Sequence, residues 1–462
     1  MGSCSSKQKI TDFESQSNQA SDSNDDDFDD YNNEFDEWIN KINNLRNNEQ
    51  LELYALARKR TEFESIDDLI DYIFNSPAEN DLEKAWVVYV WITENIKYDV
   101  TGYKLSIIGE TDPNSLILNG KGFSEGYSSL FEYLCNSLGI ECKKIIGYSK
   151  GFSYKIGSSF RKTNHSWNIV KLDKKWEYVD TTWGAGAVTD EYQLKGQFSP
   201  YYFLTPAHIF IYDHYNESYQ FQNRQITLRE YEDLPWLELN YHLLGFKCVS
   251  HKKSLIEEST NPIVMIFSAP NTSKMIANLT KKTDEETDYK IENAILLQRN
   301  PLTDLIELKI AMPTANEYLS LQLFGKSEYD SLSKDMFDSI AQFKLSTTQR
   351  LINNIPSSMY KFVKLCEPEN VEFYIFNPIS YMLYINRPYN FKFYIKDAIE
   401  VAMVLDKPFF PEWVNLNQDE FEMDYWILKR AFDKLDSNLK LTIFARFNEN
   451  ESFKGICIYF VK

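Results

Sequence analysis

Three short segments carry residue types that could work together as nucleophile, base and orienting acid. Gly120-Lys121-Gly122-Phe123-Ser124-Glu125-Gly126-Tyr127 is a glycine-rich turn running into a helical pattern that begins at Ser124. Free N–H groups in the first turn of such a helix favour an anion and could cradle an oxyanion. Asn164-His165-Ser166-Trp167-Asn168 opens a strand, and Tyr178-Val179-Asp180-Thr181-Thr182-Trp183-Gly184 closes the next one. A carboxylate at 180 could fix the tautomer of the His165 imidazole, and the imidazole could move the proton of a nucleophile at the helix start.

His165 and Asp180 are fifteen positions apart, with the turn candidate Asp173-Lys174 midway. A two-residue loop gives cross-strand partners whose numbers sum to 347, so Asp180 lies opposite Trp167 and diagonal to His165 on one face. A three-residue loop without a bulge would put the two on opposite faces. The pair could equally be a structural hydrogen bond tying two strands, with Trp167, Trp176 and Trp183 as core.

These segments need elements to hold them. Residues 34–99 read as helical: Phe35, Trp38, Ile39 and Ile42 repeat at helical spacing, Ser65 caps a helix ahead of Leu69 and Ile73, and Asn80 or Asp81 caps one carrying Ala85, Val88, Tyr89, Ile92 and Ile96. Tyr127, Leu130, Phe131, Leu134, Cys135 and Leu138 form one stripe of the helix from Ser124, and Gly139 ends it. Strands are expected at Cys142–Tyr148, Ser166–Leu172 and Trp176–Thr181, an α+β mixture. Beyond about residue 255, short apolar or alternating runs such as Leu305–Ala311, Tyr318–Phe324, Val401–Leu405 and Gly455–Val461 are separated by Pro, Gly, Asn and Asp. That is the pattern of antiparallel β-sandwiches. The expected organisation is an arm over 1–33, a domain over 34–255 (lead-in 34–80, core 81–190, extension 191–255), and sandwiches over 256–345 and 346–462. Asn417–Lys434 reads as a helical or irregular insertion in the last.

The chain has 462 residues, 43% hydrophobic and 25% charged, which excludes global disorder. Forty-nine Lys and Arg stand against 68 Asp and Glu, a net charge of −19 that argues against nucleic-acid binding. No apolar run approaches the roughly 18 residues of a membrane span. No secretory signal is read at the N-terminus, so a cytoplasmic, reducing setting with free thiols is expected. The six cysteines and five histidines show no metal-ligand spacing, so no metal or cofactor is expected, and His208, His214, His242 and His251 are assigned no role.

Met1-Gly2-Ser3-Cys4-Ser5-Ser6 fits the myristoylation signal with Gly2 as acceptor, and Cys4 beside it is a natural palmitoylation site. One acyl chain anchors only marginally, so the thiol would carry much of the anchoring. The acidic residues from Asp22 to Glu37 would be repelled by an anionic leaflet. Residues 8–33, rich in Ser, Asn, Gln and Asp, read as a flexible arm.

The runs Lys84-Ala85-Trp86, Trp91-Ile92-Thr93-Glu94-Asn95-Ile96-Lys97-Tyr98-Asp99, GKGFSEGYSSLFEYLCNSLGIECKKIIGYSKG and NHSWNIVKLDKKWEYVDTTWGAG resemble the transglutaminase-like, papain-related superfamily, and within it the kyphoscoliosis peptidase (hillarin-like) branch. The stretch from Tyr202 to His214 and the two β-domains behind it look like the same branch. The resemblance implies a papain/transglutaminase-like domain followed by two Ig-like sandwiches. It also implies a Cys-His-Asp triad with His at 165, Asp at 180 and the nucleophile at 124. The family pattern G-x-C-x-G-Y here reads Gly122-Phe123-Ser124-Glu125-Gly126-Tyr127, so serine replaces the thiol. Cys135, eleven residues on, lies about 16 Å along the helix and belongs to the buried stripe, so it cannot substitute.

A thiol can be drawn to a resting thiolate by a helix N-terminus and an imidazolium, whereas an alcohol must be deprotonated during attack. The resemblance with this substitution points to a catalytically weak or inactive protein that binds protein or peptide partners, with a link to the cytoskeleton by analogy to the branch. The alternative is an active peptidase, amidase or acyltransferase using Ser124, His165 and Asp180.

Overall fold

The computed structural model describes residues 25–462 apart from 106–108, 152–153, 189–193, 197, 283–287, 329–335, 349–360, 367–370, 409 and 420–423. The described residues divide into two compact units, one ending at Glu232 and the other running from Asp233 to Lys462.

In the first unit, helix α1 (Asp25–Asn47) comes first, followed by shorter helices at Glu49–Ala57 and Ile66–Phe74. Helix α2 (Asp81–Asn95) is capped by the Asn80 side chain, and every residue from Ala85 to Thr93 is buried. A helix apolar on all sides belongs in the interior. Helix α3 (Ser124–Ser137) buries Tyr127, Leu130, Phe131, Leu134 and Cys135, and Gly139 turns the chain at φ 82°.

Five antiparallel strands form one sheet: β1 (Cys142–Ser149), β2 (His165–Leu172), β3 (Lys175–Val179), β4 (Phe203–Thr205) and β5 (His214–Tyr215), in the order β4-β3-β2-β1-β5. Asp173 and Lys174 sit at φ 48° and 69°, the left-handed values of a two-residue hairpin turn whose twist matches the strands. Leu172 pairs with Lys175 and Asn168 with Val179, the register in which partners sum to 347. Beyond Val179 the pairing stops, because Asp180 caps a short helix at Thr181–Gly184.

The second unit holds two sandwiches of the same plan. In the first, Trp236–Leu237, Asp338–Thr347, Leu319–Ser327, Ser273–Lys282 and Asp288–Lys290 form one sheet, with Leu255–Glu258 parallel to Asp338–Thr347. Lys247–Cys248, Ile263–Ser268, Ile306–Ile310 and Ile295–Arg299 form the other. The second repeats this with Lys364–Leu365, Lys454–Val461, Lys440–Arg446, Glu400–Leu405 and Glu412–Asn415, and Met382–Leu383 parallel to Lys454–Val461. Its facing sheet is Phe373–Asn377, Pro388–Ile395, Tyr425–Ala431 and Asn417–Gln418.

Three features differ from the sequence reading. Residues 25–33, read as part of a flexible arm, are helical: once the turns around Trp38 and Ile42 are docked, each further residue adds a hydrogen bond at little cost. The sandwich region begins at residue 233, not 256, because Trp236–Leu237 and Lys247–Cys248 pair with its strands. The segment Asn417–Lys434 contains a strand, Tyr425–Ala431, paired along its length with Pro388–Tyr394; Lys429 and Arg430 on it disguised the alternation. Residues 1–24, with Gly2, Cys4 and most of the arm, lie outside the described residues.

Candidate active site

The site is built where strand ends and a helix start converge. His165 is the first residue of β2, and Asp180 follows the last residue of β3. The hairpin register makes them diagonal neighbours on one face, and His165 Nε2 lies 2.7 Å from Asp180 Oδ2. Asp180 is fully buried. Its other oxygen, Oδ1, accepts from the N–H groups of Thr182 at 2.8 Å and Trp183 at 3.0 Å. The carboxylate therefore orients the imidazole and caps a helix at once, which leaves it one rotamer.

Ser124 is the first residue of α3 and is half-buried. The cap position before it is Phe123, whose side chain accepts no hydrogen bond, so no side chain competes for the first-turn donors. Gly126 lets the helix start lie against the Glu110 carbonyl; a Cβ there would come within 2.7 Å of that oxygen. One turn on, the Ser128 hydroxyl touches that of Ser166, the neighbour of His165. Asn168 Nδ2 donates to the Ser128 carbonyl at 2.9 Å. Buried Ser166 and Asn168 thus bind α3 to β2, while His165 shares the parity of Trp167. Among the described residues, no hydrogen bond joins Ser124 Oγ to His165 or Asp180. Cys135 is fully buried in the α3 core.

A fourth residue, to which the sequence assigns no role, joins them. His214, on edge strand β5, is buried and places Nε2 3.0 Å from Asp180 Oδ2 and Nδ1 2.6 Å from Asp213 Oδ1. Phe210 stacks on its ring at 4.0 Å between centroids, and Trp183 and Trp167 stand 4.4 and 5.1 Å away. Register explains the meeting: on β1, Gly147 pairs with His165 and Ser149 with His214. The sequence holds one weak signal, an Asp-His step following an aromatic run. His208 instead meets Glu34 of α1 at 3.1 Å.

Burial alone would push the Asp180 carboxyl up, but the charge and hydrogen bonds of His165 and His214 hold it well below the usual carboxylate range. Burial alone would push His214 down, yet the two carboxylates raise it to about 9. Burial pushes the Asp213 carboxyl up, against the pull of His214. The donor atoms of His165, Asp180 and His214 lie within 4.8 Å of one another, the spacing of a metal's ligand set. Each contact also has the length of an N–H···O bond.

The family comparisons agree with this architecture. The transglutaminase-like superfamily model matches residues 69–181, and the KY-like, immunoglobulin-like domain model matches residues 228–357. The chain therefore carries a transglutaminase-like domain followed by a KY-like, immunoglobulin-like domain. Its relatives include human kyphoscoliosis peptidase, 27% identical over 301 residues that cover 64% of this chain and 42% of the relative. Hillarin of Drosophila melanogaster is 25% identical over 64% of this chain and 39% of its own length. The Lim and transglutaminase domain protein ltd-1 of Caenorhabditis elegans is 26% identical over 63% and 43%. The chain matches less than half the length of each of these relatives.

Proposed function

We propose that this kyphoscoliosis peptidase-like chain uses its transglutaminase-like cleft to hold a protein or peptide, with acyl transfer slow or lost. One observation carries the reading: the His165–Asp180 pair is complete, yet the oxygen at 124 makes no hydrogen bond to it. A serine alcohol needs that contact, because it must surrender its proton during attack. The sandwiches would add contact surface, and a cytoskeletal partner is the analogy offered by the branch. Myristoyl-Gly2 with palmitoyl-Cys4 would place the chain at a membrane surface from the cytoplasmic side; among the described residues no helix is long and apolar enough to cross one.

A second reading is an active hydrolase or acyltransferase with Ser124 as nucleophile. The uncapped first turn of α3 favours it, since the backbone donors needed for an oxyanion are left open. A fluorophosphonate probe and an amide-hydrolysis and transamidation assay decide between the two. The docking reading expects no labelling at Ser124 and a gain of thiol-probe labelling in Ser124→Cys. Turnover by the native chain that Ser124→Ala abolishes would replace it with the second reading. Mass spectrometry of the N-terminal peptide from a eukaryotic host tests the anchor; unmodified Gly2 and Cys4 would remove it.

A further inference from the structure

Two imidazoles share a single carboxylate oxygen, and their surroundings differ in a way that fixes where the charge sits. His214 faces a carboxylate at each ring nitrogen, Asp213 at 2.6 Å and Asp180 at 3.0 Å. Ionised carboxylates only accept, so both nitrogens must donate, and only the imidazolium has two N–H groups. His165 faces a carboxylate at Nε2 alone.

We propose that His214 is a positioning residue for the His165–Asp180 pair: as a buried imidazolium it neutralises Asp180 and leaves His165 with its proton on Nε2 and an open lone pair on Nδ1. That form of His165 accepts a proton from an oxygen nucleophile. The alternative, an imidazolium at His165, is the partner of a resting thiolate. Two cations cannot share one carboxylate oxygen cheaply, since the ring centroids are 5.3 Å apart and like charges at that range disfavour each other.

The surroundings on every side fit this assignment. Asp213 precedes His214 on its own strand, Asp180 reaches it from the end of β3, and His165 from the start of β2. Tyr231 donates to the Asp213 carbonyl at 2.8 Å, and the Lys150 ammonium lies over the Tyr231 ring, 4.7 Å from its centre. Burial raises the hydroxyls of Tyr89, Tyr127 and Tyr231 well above their ordinary value, so they add no charge. The π face of Phe210, stacked on the His214 ring, favours a cation there.

The inference rests on His165 being the acid–base residue of the site, but its test does not need turnover. The full chain has five histidines, so ring-nitrogen NMR of a histidine-labelled sample can follow each through a pH titration. The His214 ring should show both nitrogens protonated at pH 7, and His165 a single proton on Nε2. His214→Gln keeps an N–H for Asp180 and removes the charge, so Asp180 turns its full charge on the other ring and the His165 Nε2–H resonance should move. A neutral His214 ring or a cationic His165 at pH 7 in the native chain would overturn the proposal, whether or not the variant folds. An unchanged His165 Nε2–H resonance in a folded His214→Gln would reduce His214 to a purely structural role. Probe labelling at Ser124, run on a separate sample, reads the proposed function independently of these signals.

Discussion

His165 and Asp180 stand fifteen positions apart in the chain and 2.7 Å apart in space, and the two-residue turn at Asp173-Lys174 closes that gap. Both turn residues hold positive φ, which a side chain with a Cβ tolerates at some cost and a β-branched one tolerates badly. Lys174→Gly relieves that strain, whereas Lys174→Val increases it. The glycine variant should be more stable than the valine variant by about 1–2 kcal/mol, read from urea midpoints at constant m-value. Equal stability would mean that the turn does not fix the register.

The same cluster sets the pH profile of stability. Asp180 is held below its ordinary range in the folded chain, so it contributes stability above the unfolded carboxylate value that is lost as pH falls. Glu34 acts the same way: hydrogen bonding to His208, and then to Lys175, lowers it to about 2. His214 has the opposite sign. Raised to about 9, it contributes stability fully present below its unfolded value of 6.5 and lost as pH climbs through 9. Urea midpoints should therefore fall on both sides of a maximum between the carboxylate and imidazole ranges. His214→Gln should flatten the limb between pH 6.5 and 9 and shrink the acid limb without abolishing it, because His165 still holds Asp180 down and Glu34 is untouched. An alkaline limb that survives this substitution would assign it to other groups.

Two members of the cluster were legible in the sequence and one was not, for a physical reason. His165 and Asp180 lie on one hairpin, where local pairing arithmetic reaches both. His214 arrives 34 residues after Asp180, on a strand of two residues at the far edge of the sheet, and neither period nor turn chemistry predicts such a pairing. The helix start at Ser124 was legible because the apolar stripe and Gly139 bracket α3. Tyr425–Ala431 was hidden because its outward Lys429 looked like one face of a helix, and only its partner Pro388–Tyr394 shows it to be a strand. The sandwich start near residue 233 depends on two-residue strands that borrow their pairing from longer ones.

Gly147 stands between the two histidine strands: it pairs with His165 on β2, and Ser149, two residues on in β1, pairs with His214 on β5. A Cβ on Gly147 would come within 2.3 Å of the Trp167 ring and 2.4 Å of the Tyr215 carbonyl. The ring could shift, but the carbonyl is backbone of β5, so the edge strand must move. Gly147→Ala should cost about 1–3 kcal/mol and weaken the His214–Asp180 contact, seen as loss of the protected His214 N–H signals. Retention of those signals at native stability would show that the edge strand adapts.

Helix α1 is fixed to the opposite edge of the same sheet through Trp38. Its indole N–H donates to the Phe203 carbonyl of β4 at 3.0 Å, and its ring is buried and edge-on to Tyr201 at 5.8 Å. The helix covers a strand edge that would otherwise offer free carbonyls to another chain. Beside it, Glu34 meets Lys175 and His208, both at 3.1 Å, but these partly exposed ion pairs are screened by solvent. Trp38→Ala should therefore cost about 3–5 kcal/mol and open residues 34–47 to amide exchange, whereas Glu34→Gln should cost about 1 kcal/mol or less. Because β4 pairs with β3, which leads to Asp180, the Trp38 variant should also raise the exchange rate of the Thr182 and Trp183 amides that the carboxylate holds. If α1 exchanges freely in the native chain, or if the Trp38 variant leaves those two amides protected, the helix is not part of the support for the site.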